Sequence, residues 1–269
     1  MTVHPIERLR YVARSAGAPQ DLLMVESARA LGTFHDDPVG LVTACRRVVS
    51  RQITAGGLWW VCSRLLCAPD PFSEVQAIIE AVEDDTTARS LTLALGPEAT
   101  VVVLGWPPVV ADALVRRGSG ETLVVDASNE GSGLVRYLDG HRVDAVDVPL
   151  SGLGAAVTAA DVLVVEPVAA SPSGVLAVSG SLAAAAVAKR SDVSVWCAVG
   201  RGRALPARVW DALMSRWDVS DEPWESEEEV VPLDLIDIVV GPDGTLDASA
   251  IGSLVDCPIA PELFKADIT

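Results

Sequence analysis

Hydrophobic residues in the first third of the chain recur three or four positions apart, which is the period of an amphipathic helix. Asp37 and Pro38 mark one helix start, because a carboxylate can cap a helix and proline is tolerated in its first turn. We therefore predict a helical N-terminal domain over residues 1–95. Its helical segments are predicted at 6–13, 22–31, 39–54, 58–66 and 72–95.

After residue 95 the pattern changes to short, continuous apolar runs that alternate with helical stretches of about ten residues. Strands that are apolar on both faces are typical of a parallel sheet covered by helices on either side. We predict a doubly wound, mostly parallel sheet over residues 96–269. Its strands are predicted at 100–104, 123–126, 143–148, 161–166, 193–199 and 235–240.

The stretch from 160 to 200 shows this pattern most clearly. It reads as a buried strand, a loop rich in Pro, Ser and Gly, an alanine-rich helix and a second buried strand. The helix begins at Ser179, Gly180 and Ser181, where free N–H groups would point toward the carboxyl edge of the sheet. This start predicts a place for an anion.

Composition and charge narrow the class of protein. Half of the 269 residues are hydrophobic, and the net charge of −17 is concentrated after residue 95, where it is −15. An acidic sheet domain would repel nucleic acid, and the acidic run at 218–229 is predicted to be a solvated loop. We find no signal core or membrane segment, and five cysteines without disulfide or metal spacing indicate a cytoplasmic protein. Those cysteines are Cys45, Cys62, Cys67, Cys197 and Cys257.

Motifs for common chemistries are missing. No glycine-rich dinucleotide fingerprint, phosphate-binding loop or serine-hydrolase elbow follows a strand, so we predict no cofactor. Arg201 and Arg203, in a Gly-Arg-Gly-Arg loop, would either contact an anion or offset acidic surroundings. The three histidines lie in predicted tails or loops and form no cluster with catalytic spacing.

The order of these elements resembles a known family. A strand at 161–165, a turn at Gly174, the Gly180-Ser181 pair, Ala188-Lys189 and a strand at 193–198 follow its pattern. The family comprises the alpha, beta and delta subunits of translation initiation factor 2B, methylthioribose-1-phosphate isomerase and ribose-1,5-bisphosphate isomerase. The resemblance covers about residues 85–255. It implies a helical N-terminal domain, a Rossmann-like α/β domain and a homodimer.

The positions that carry catalysis in the isomerases differ in this chain. Those enzymes use a cysteine thiol and an aspartate to move a proton between two carbons of a sugar phosphate. Trp106 stands where the family has the cysteine, and Val168 stands where it has the aspartate. Ser128 aligns with the family's phosphate-binding arginine. The resemblance therefore implies a pseudoenzyme.

We accordingly predict a non-catalytic protein with a regulatory, assembly or small-ligand-binding role. Any ligand, such as a sugar phosphate or nucleotide, would lie above the sheet edge. Trp106 would fill the vacated pocket there or, as the alternative, stack on the ligand. One alternative is a sugar-phosphate isomerase with a rearranged site that uses Glu166 and Asp126. Another is a nucleotide-binding domain that holds phosphate at 179–181. The predicted ligand-binding residues are Gly105, Trp106, Asp126, Ser128, Ser179, Gly180 and Ser181.

Overall fold

The computed structural model describes residues 19–217 and 222–265. The chain divides into two compact units: Met1–Asp85 with Arg201–Asp218 and Val255–Thr269, and Thr86–Gly200 with Val219–Leu254. The predicted domain boundary between residues 95 and 96 stays a prediction. The helical segment predicted at 6–13 lies outside the described residues.

The first unit is helical. Asp37 and Asp70 cap two of its helices by accepting hydrogen bonds from the N–H groups of Gly40 (2.9 Å) and Phe72 (3.1 Å), and a proline follows each cap. These caps fix the points where the two helices begin, at Pro38 and Pro71. The helices are α1 (Gln20–Leu31), α2 (Pro38–Arg51), α3 (Gly56–Cys67), α4 (Pro71–Glu83) and α10 (Ala207–Met214).

Two neighbouring tryptophans form the centre of this unit. Trp59 and Trp60 are fully buried, and each indole N–H is satisfied, by the carbonyl of Ile53 (2.9 Å) and by Oδ1 of Asp256 (2.8 Å). Large aromatic side chains with a bonded polar end fill a core without leaving an unsatisfied donor. The tryptophan pair is thus part of the structural core.

The second unit contains a sheet of seven strands. The strands are β1 (Val101–Leu104), β2 (Thr122–Asp126), β3 (Ala145–Pro149), β4 (Val162–Val165), β7 (Ser194–Ala198), β9 (Ile238–Gly241) and β10 (Gly244–Asp247). Their order in the sheet is β10-β9-β7-β4-β1-β2-β3. All neighbouring strands are parallel except the antiparallel pair β9 and β10.

Helices cover this sheet and bury its apolar strands. Val101, Val103, Val124 and Val164 of the sheet pack with Leu114 and other helix residues in one core. This arrangement confirms the predicted fold class, a helical N-terminal region followed by a mostly parallel, Rossmann-like sheet. The helices are α5 (Thr87–Ala94), α6 (Pro108–Arg117), α7 (Gly131–Gly140), α8 (Leu153–Ala159) and α9 (Ser181–Arg190).

A second, antiparallel sheet of three strands was not predicted. It consists of β5 (Ala169–Ser171), β6 (Gly174–Val178) and β8 (Glu228–Val231), in the order β5-β6-β8. Two of these strands occupy the predicted Pro/Ser/Gly loop, and β8 begins in the acidic run predicted to be a solvated loop. That prediction was wrong at Glu228 and Glu229, because both residues pair with β6.

Within the described ranges, no helix has both the length and the apolar character needed to cross a membrane.

Candidate functional site

The loop after β1 lies beside the loop after β2 at the carboxyl edge of the sheet. Gly105 has a φ of +63°, a conformation that glycine adopts without strain. A Cβ on Gly105 would lie 2.9 Å from Oγ of Ser128. The structure therefore brings these two predicted residues together, and a larger side chain at position 105 would require Ser128 to move.

Asp126, at the end of β2, acts on the start of α7. Its Oδ1 accepts a hydrogen bond from the N–H of Gly131 at 3.0 Å. Ser128 donates to Oε2 of Glu130 at 3.3 Å, so its hydroxyl is also directed at a carboxylate. A carboxylate at a helix start satisfies a free donor and is stabilised by the helix dipole. Asp126 is thus a capping residue in this structure.

Trp106 follows β1, packs its side chain against α7 and is 39% exposed. A Cβ on Gly133 would be 2.9 Å from its indole ring, and the ring centroid of Tyr137 is 5.7 Å away. The side chains nearest to a Cβ on Gly180 are instead three leucines, Leu104, Leu150 and Leu153. Trp106 is therefore not among the nearest neighbours of Gly180, and its indole packs against α7 at Gly133. That Trp106 fills the vacated pocket stays a prediction.

Glu166 follows β4 and caps α6. Its Oε2 accepts hydrogen bonds from the N–H groups of Val109 (2.8 Å) and Val110 (3.1 Å), in the first turn of that helix. Pro108 at the helix start has no N–H of its own, so these are the first donors available. The carboxylate that was a candidate for acid–base chemistry is bound to backbone donors.

The start of α9 has the geometry predicted from the sequence, but it is occupied by the chain itself. Gly180 has a φ of +100°, and its N–H donates to Oε1 of Glu229 at 2.6 Å. The N–H of Leu182 donates to the same oxygen at 2.8 Å. Ser179 donates from its hydroxyl to the carbonyl of Ser226 at 2.5 Å. The carboxylate of β8 therefore takes the position of an anion at this helix start.

The surroundings of this helix start are largely apolar. Leu104 and Leu153 are buried, and Leu150 is half exposed. Ser181 is fully buried, and its Oγ has no hydrogen-bond partner among the described residues. Neutral groups of this kind offer little to a doubly charged phosphate.

Three carboxylates thus cap three helix starts, each with a backbone N–H bound. Asp126 serves α7, Glu166 serves α6 and Glu229 serves α9. Sequence reasoning missed Glu229 because it lies in the acidic run. The two valines that end β8, Val230 and Val231, are a weak sequence signal for a strand, because β-branched residues are common in strands.

The remaining candidate residues are engaged or buried within the protein. The N–H of Arg201 donates to Asp85 at 2.7 Å, and its guanidinium lies 3.4 Å from Oδ2 of Asp256. Arg203 is buried, and Cys197 is buried in β7. In the part of the chain that the structure describes, no group of three or more His, Cys, Asp or Glu side chains could hold a metal ion.

Comparisons with known structures show which proteins share this fold. Translation initiation factor eIF-2B from Pyrococcus horikoshii OT3 matches with a TM-score of 0.76 and 12% identity, over 92% of this chain and 98% of that chain. The chain has the fold of the eIF2B subunits. eIF2B beta from Chaetomium thermophilum matches with a TM-score of 0.73 and 17% identity, over 96% of this chain and 91% of that one.

A third match is the tetrameric eIF2B-beta2-delta2 complex from C. thermophilum, with a TM-score of 0.74 and 17% identity over 93% of this chain and 92% of the other. Neither the protein-family models nor the curated proteins gave a match. Identities of this size establish the eIF2B fold, which confirms what the sequence resemblance implied about architecture, and leave activity to be argued from the site.

Proposed function

We propose that this protein is a non-catalytic, eIF2B-like protein with an assembly or regulatory role. The observation that carries the proposal is that Glu229 occupies the helix start of α9, where its carboxylate accepts two backbone hydrogen bonds. In a fold of this type, the carboxyl edge of the sheet is where a ligand is expected to bind.

Electrostatics argue against a phosphorylated ligand at this edge. A phosphate would have to displace Glu229 from two N–H groups, and Asp126 and Glu166 add like charges at the carboxyl ends of β2 and β4, on the same edge of the sheet. The strongly acidic sheet domain strengthens this repulsion. The same argument weighs against a nucleotide held at residues 179–181.

The described residues at this edge also lack the available base and thiol that isomerisation would need. Proton transfer between two carbons needs a base within hydrogen-bond reach of the substrate. Glu166 is engaged by the first turn of α6, and Trp106 occupies the family's cysteine position. The thiol of Cys197, in this unit, is buried within the sheet. These observations support a pseudoenzyme over a rearranged isomerase.

An assembly role follows from what the fold does in a related structure. The eIF2B beta and delta subunits named above form a tetrameric complex. Here we propose a homodimer, supported by apolar side chains that are exposed on the sheet unit, including Trp106, Tyr137, Val146 and Leu150. The free cysteines are consistent with a place in the reducing cytoplasm.

Turnover assays test the proposal that the protein is non-catalytic. The purified chain should convert neither ribose-1,5-bisphosphate nor methylthioribose-1-phosphate, and millimolar sugar phosphates or nucleotides should leave its melting temperature unchanged. Turnover that Glu166→Gln abolishes would establish the isomerase instead. Light scattering tests the assembly part: twice the chain mass of 28.1 kDa is expected, and a monomer at micromolar concentration would refute the homodimer.

A further inference from the structure

The helical unit contains an open pocket of about 460 Å³ that the proposed function does not use. It lies where the end of α3 meets the start of α4 and the segment after Val255. Its volume is within the range of small-molecule sites, roughly 300–1,000 Å³. The lining residues are Arg64, Cys67, Ala68, Glu74, Asp256 and Pro258.

Arg64 and Glu74 form an ion pair in this pocket. Nε of Arg64 donates to Oε1 of Glu74, and the guanidinium lies over the ring of Trp60, 4.9 Å from its centroid. Both side chains of the pair are 22% exposed. The side chains of Arg64 and Glu74 make no further hydrogen bond among the described residues, so the terminal guanidinium nitrogens and Oε2 are available to a ligand.

Asp256 is held from two sides. Its Oδ1 accepts the indole N–H of Trp60 at 2.8 Å, and its Oδ2 lies 3.4 Å from Nη1 of Arg201. The buried Trp60 therefore orients both Arg64, across its face, and Asp256, at its edge. Charged groups positioned by a rigid residue beneath them bind a ligand with a smaller entropy cost.

The charges of the pocket specify the chemistry of its ligand. A simple anion would meet Glu74 and Asp256, and a simple cation would meet Arg64. Because Arg64 and Glu74 are in contact, a ligand that uses both must carry opposite charges at a similarly short separation. We propose that this pocket binds a small α-amino acid, with its carboxylate on Arg64 and its ammonium on Glu74 and Asp256.

The walls favour a small apolar side chain. Ala68 and Pro258 line the pocket beside the carboxylates. Cys67 is exposed, whereas the chain's other four cysteines are buried. This inference does not depend on the proposed function, since the pocket belongs entirely to the helical unit.

Cys67 provides a direct readout of occupancy. The rate of its alkylation by iodoacetamide would be measured on the full chain by mass spectrometry, with each common L-α-amino acid as the probe. A bound amino acid covers the thiol, so at ten times its Kd the rate should fall to about one tenth. If no amino acid at tens of millimolar slows the reaction, the proposal is wrong.

Matched fragments test the need for both charges. Propionate keeps the carboxylate of alanine without its ammonium, and ethylamine keeps the ammonium without the carboxylate. Neither should protect Cys67 at concentrations where alanine or the best amino acid does. Equal protection by either fragment would refute an amino-acid site.

Two variants distinguish an effect on the pocket from a general effect on α4. Glu74→Gln removes the carboxylate charge from the pocket and should weaken protection at least about tenfold, since one charged contact is lost. Glu80→Gln makes the same change on an exposed residue of α4 and should leave protection intact. If Glu74→Gln fails to fold, Asp256→Asn takes its place. Protection unchanged in the folded variant would overturn the assignment.

Discussion

Replacing Glu229 tests the central structural interpretation, that a carboxylate of β8 serves as the anion at the start of α9. Glu229→Ala removes the acceptor of the N–H groups of Gly180 and Leu182, which are bound at 2.6 and 2.8 Å. The two donors then lose their carboxylate partner, at a helix start where the buried Leu104 and Leu153 lie close to Gly180. We expect α9 to become less stable.

The magnitude follows from the hydrogen bonds. A hydrogen bond to a charged group contributes about 1.5–3 kcal/mol. The two bonds share one oxygen and Glu229 is partly exposed, so we expect a loss of about 2 kcal/mol in the free energy of unfolding rather than twice a single bond. Glu229→Gln keeps an oxygen acceptor and loses the charge, so it should lose about 0.5–1 kcal/mol.

Urea unfolding followed by circular dichroism measures this loss as a shift in midpoint at constant slope. The thermal counterpart is a decrease of about 4–8 °C in melting temperature for a chain of this size. Glu227→Ala is the matched control, since it removes an exposed carboxylate two residues away. If Glu229→Ala is no less stable than Glu227→Ala, Glu229 does not cap α9 and the argument against a phosphate site loses its basis.

Three further predictions concern other residues. Glu166→Ala should lower the free energy of unfolding by about 1–2 kcal/mol in urea titrations, because Val109 and Val110 lose their acceptor, while Glu166→Gln should cost less. Trp60→Phe should cost about 1 kcal/mol by losing its bond to Asp256, whereas Trp224→Phe, on an exposed side chain, should change nothing. Partial burial, together with the Glu262 carboxylate, raises the pKa of the Cys67 thiol, so its alkylation rate should still be rising above pH 9, later than for a free thiol. The other thiols should not react, and burial raises the pKa of Cys257 to about 12.

Local pattern predicted most of the fold. The apolar runs at 161–166 and 193–199 became β4 and β7, and the Gly180-Ser181 pair became the start of α9, because each depends on neighbouring residues. The antiparallel sheet of β5, β6 and β8 was missed because β8 pairs with a strand about fifty residues earlier, and its glutamates read as solvated. Long-range pairing of a polar strand leaves little trace in local periodicity.

The helix start at residues 179–181 was predicted from the sequence, but the carboxylates that cap the helix starts at this edge were not. Residues 179–181 were placed correctly at a helix start, but the capping carboxylate lies 49 residues from Gly180. Glu166 was recognised as a carboxylate near the edge, whereas its partners Val109 and Val110 lie more than fifty residues earlier. Which N–H group a carboxylate contacts depends on how elements far apart in the sequence pack together, and a single sequence does not specify that packing.

The three capping carboxylates belong to two different sheets, and this difference determines which substitutions would allow a phosphate to bind at the edge. Asp126 and Glu166 follow parallel strands of the large sheet, while Glu229 belongs to the small sheet. Removing Glu229 alone would free the N–H groups of α9 but leave the negative charges of the other two beside any incoming phosphate. Replacing the other two alone would leave α9 occupied. Phosphate binding at this edge therefore requires coordinated changes in two sheets, so we expect no single substitution to restore it.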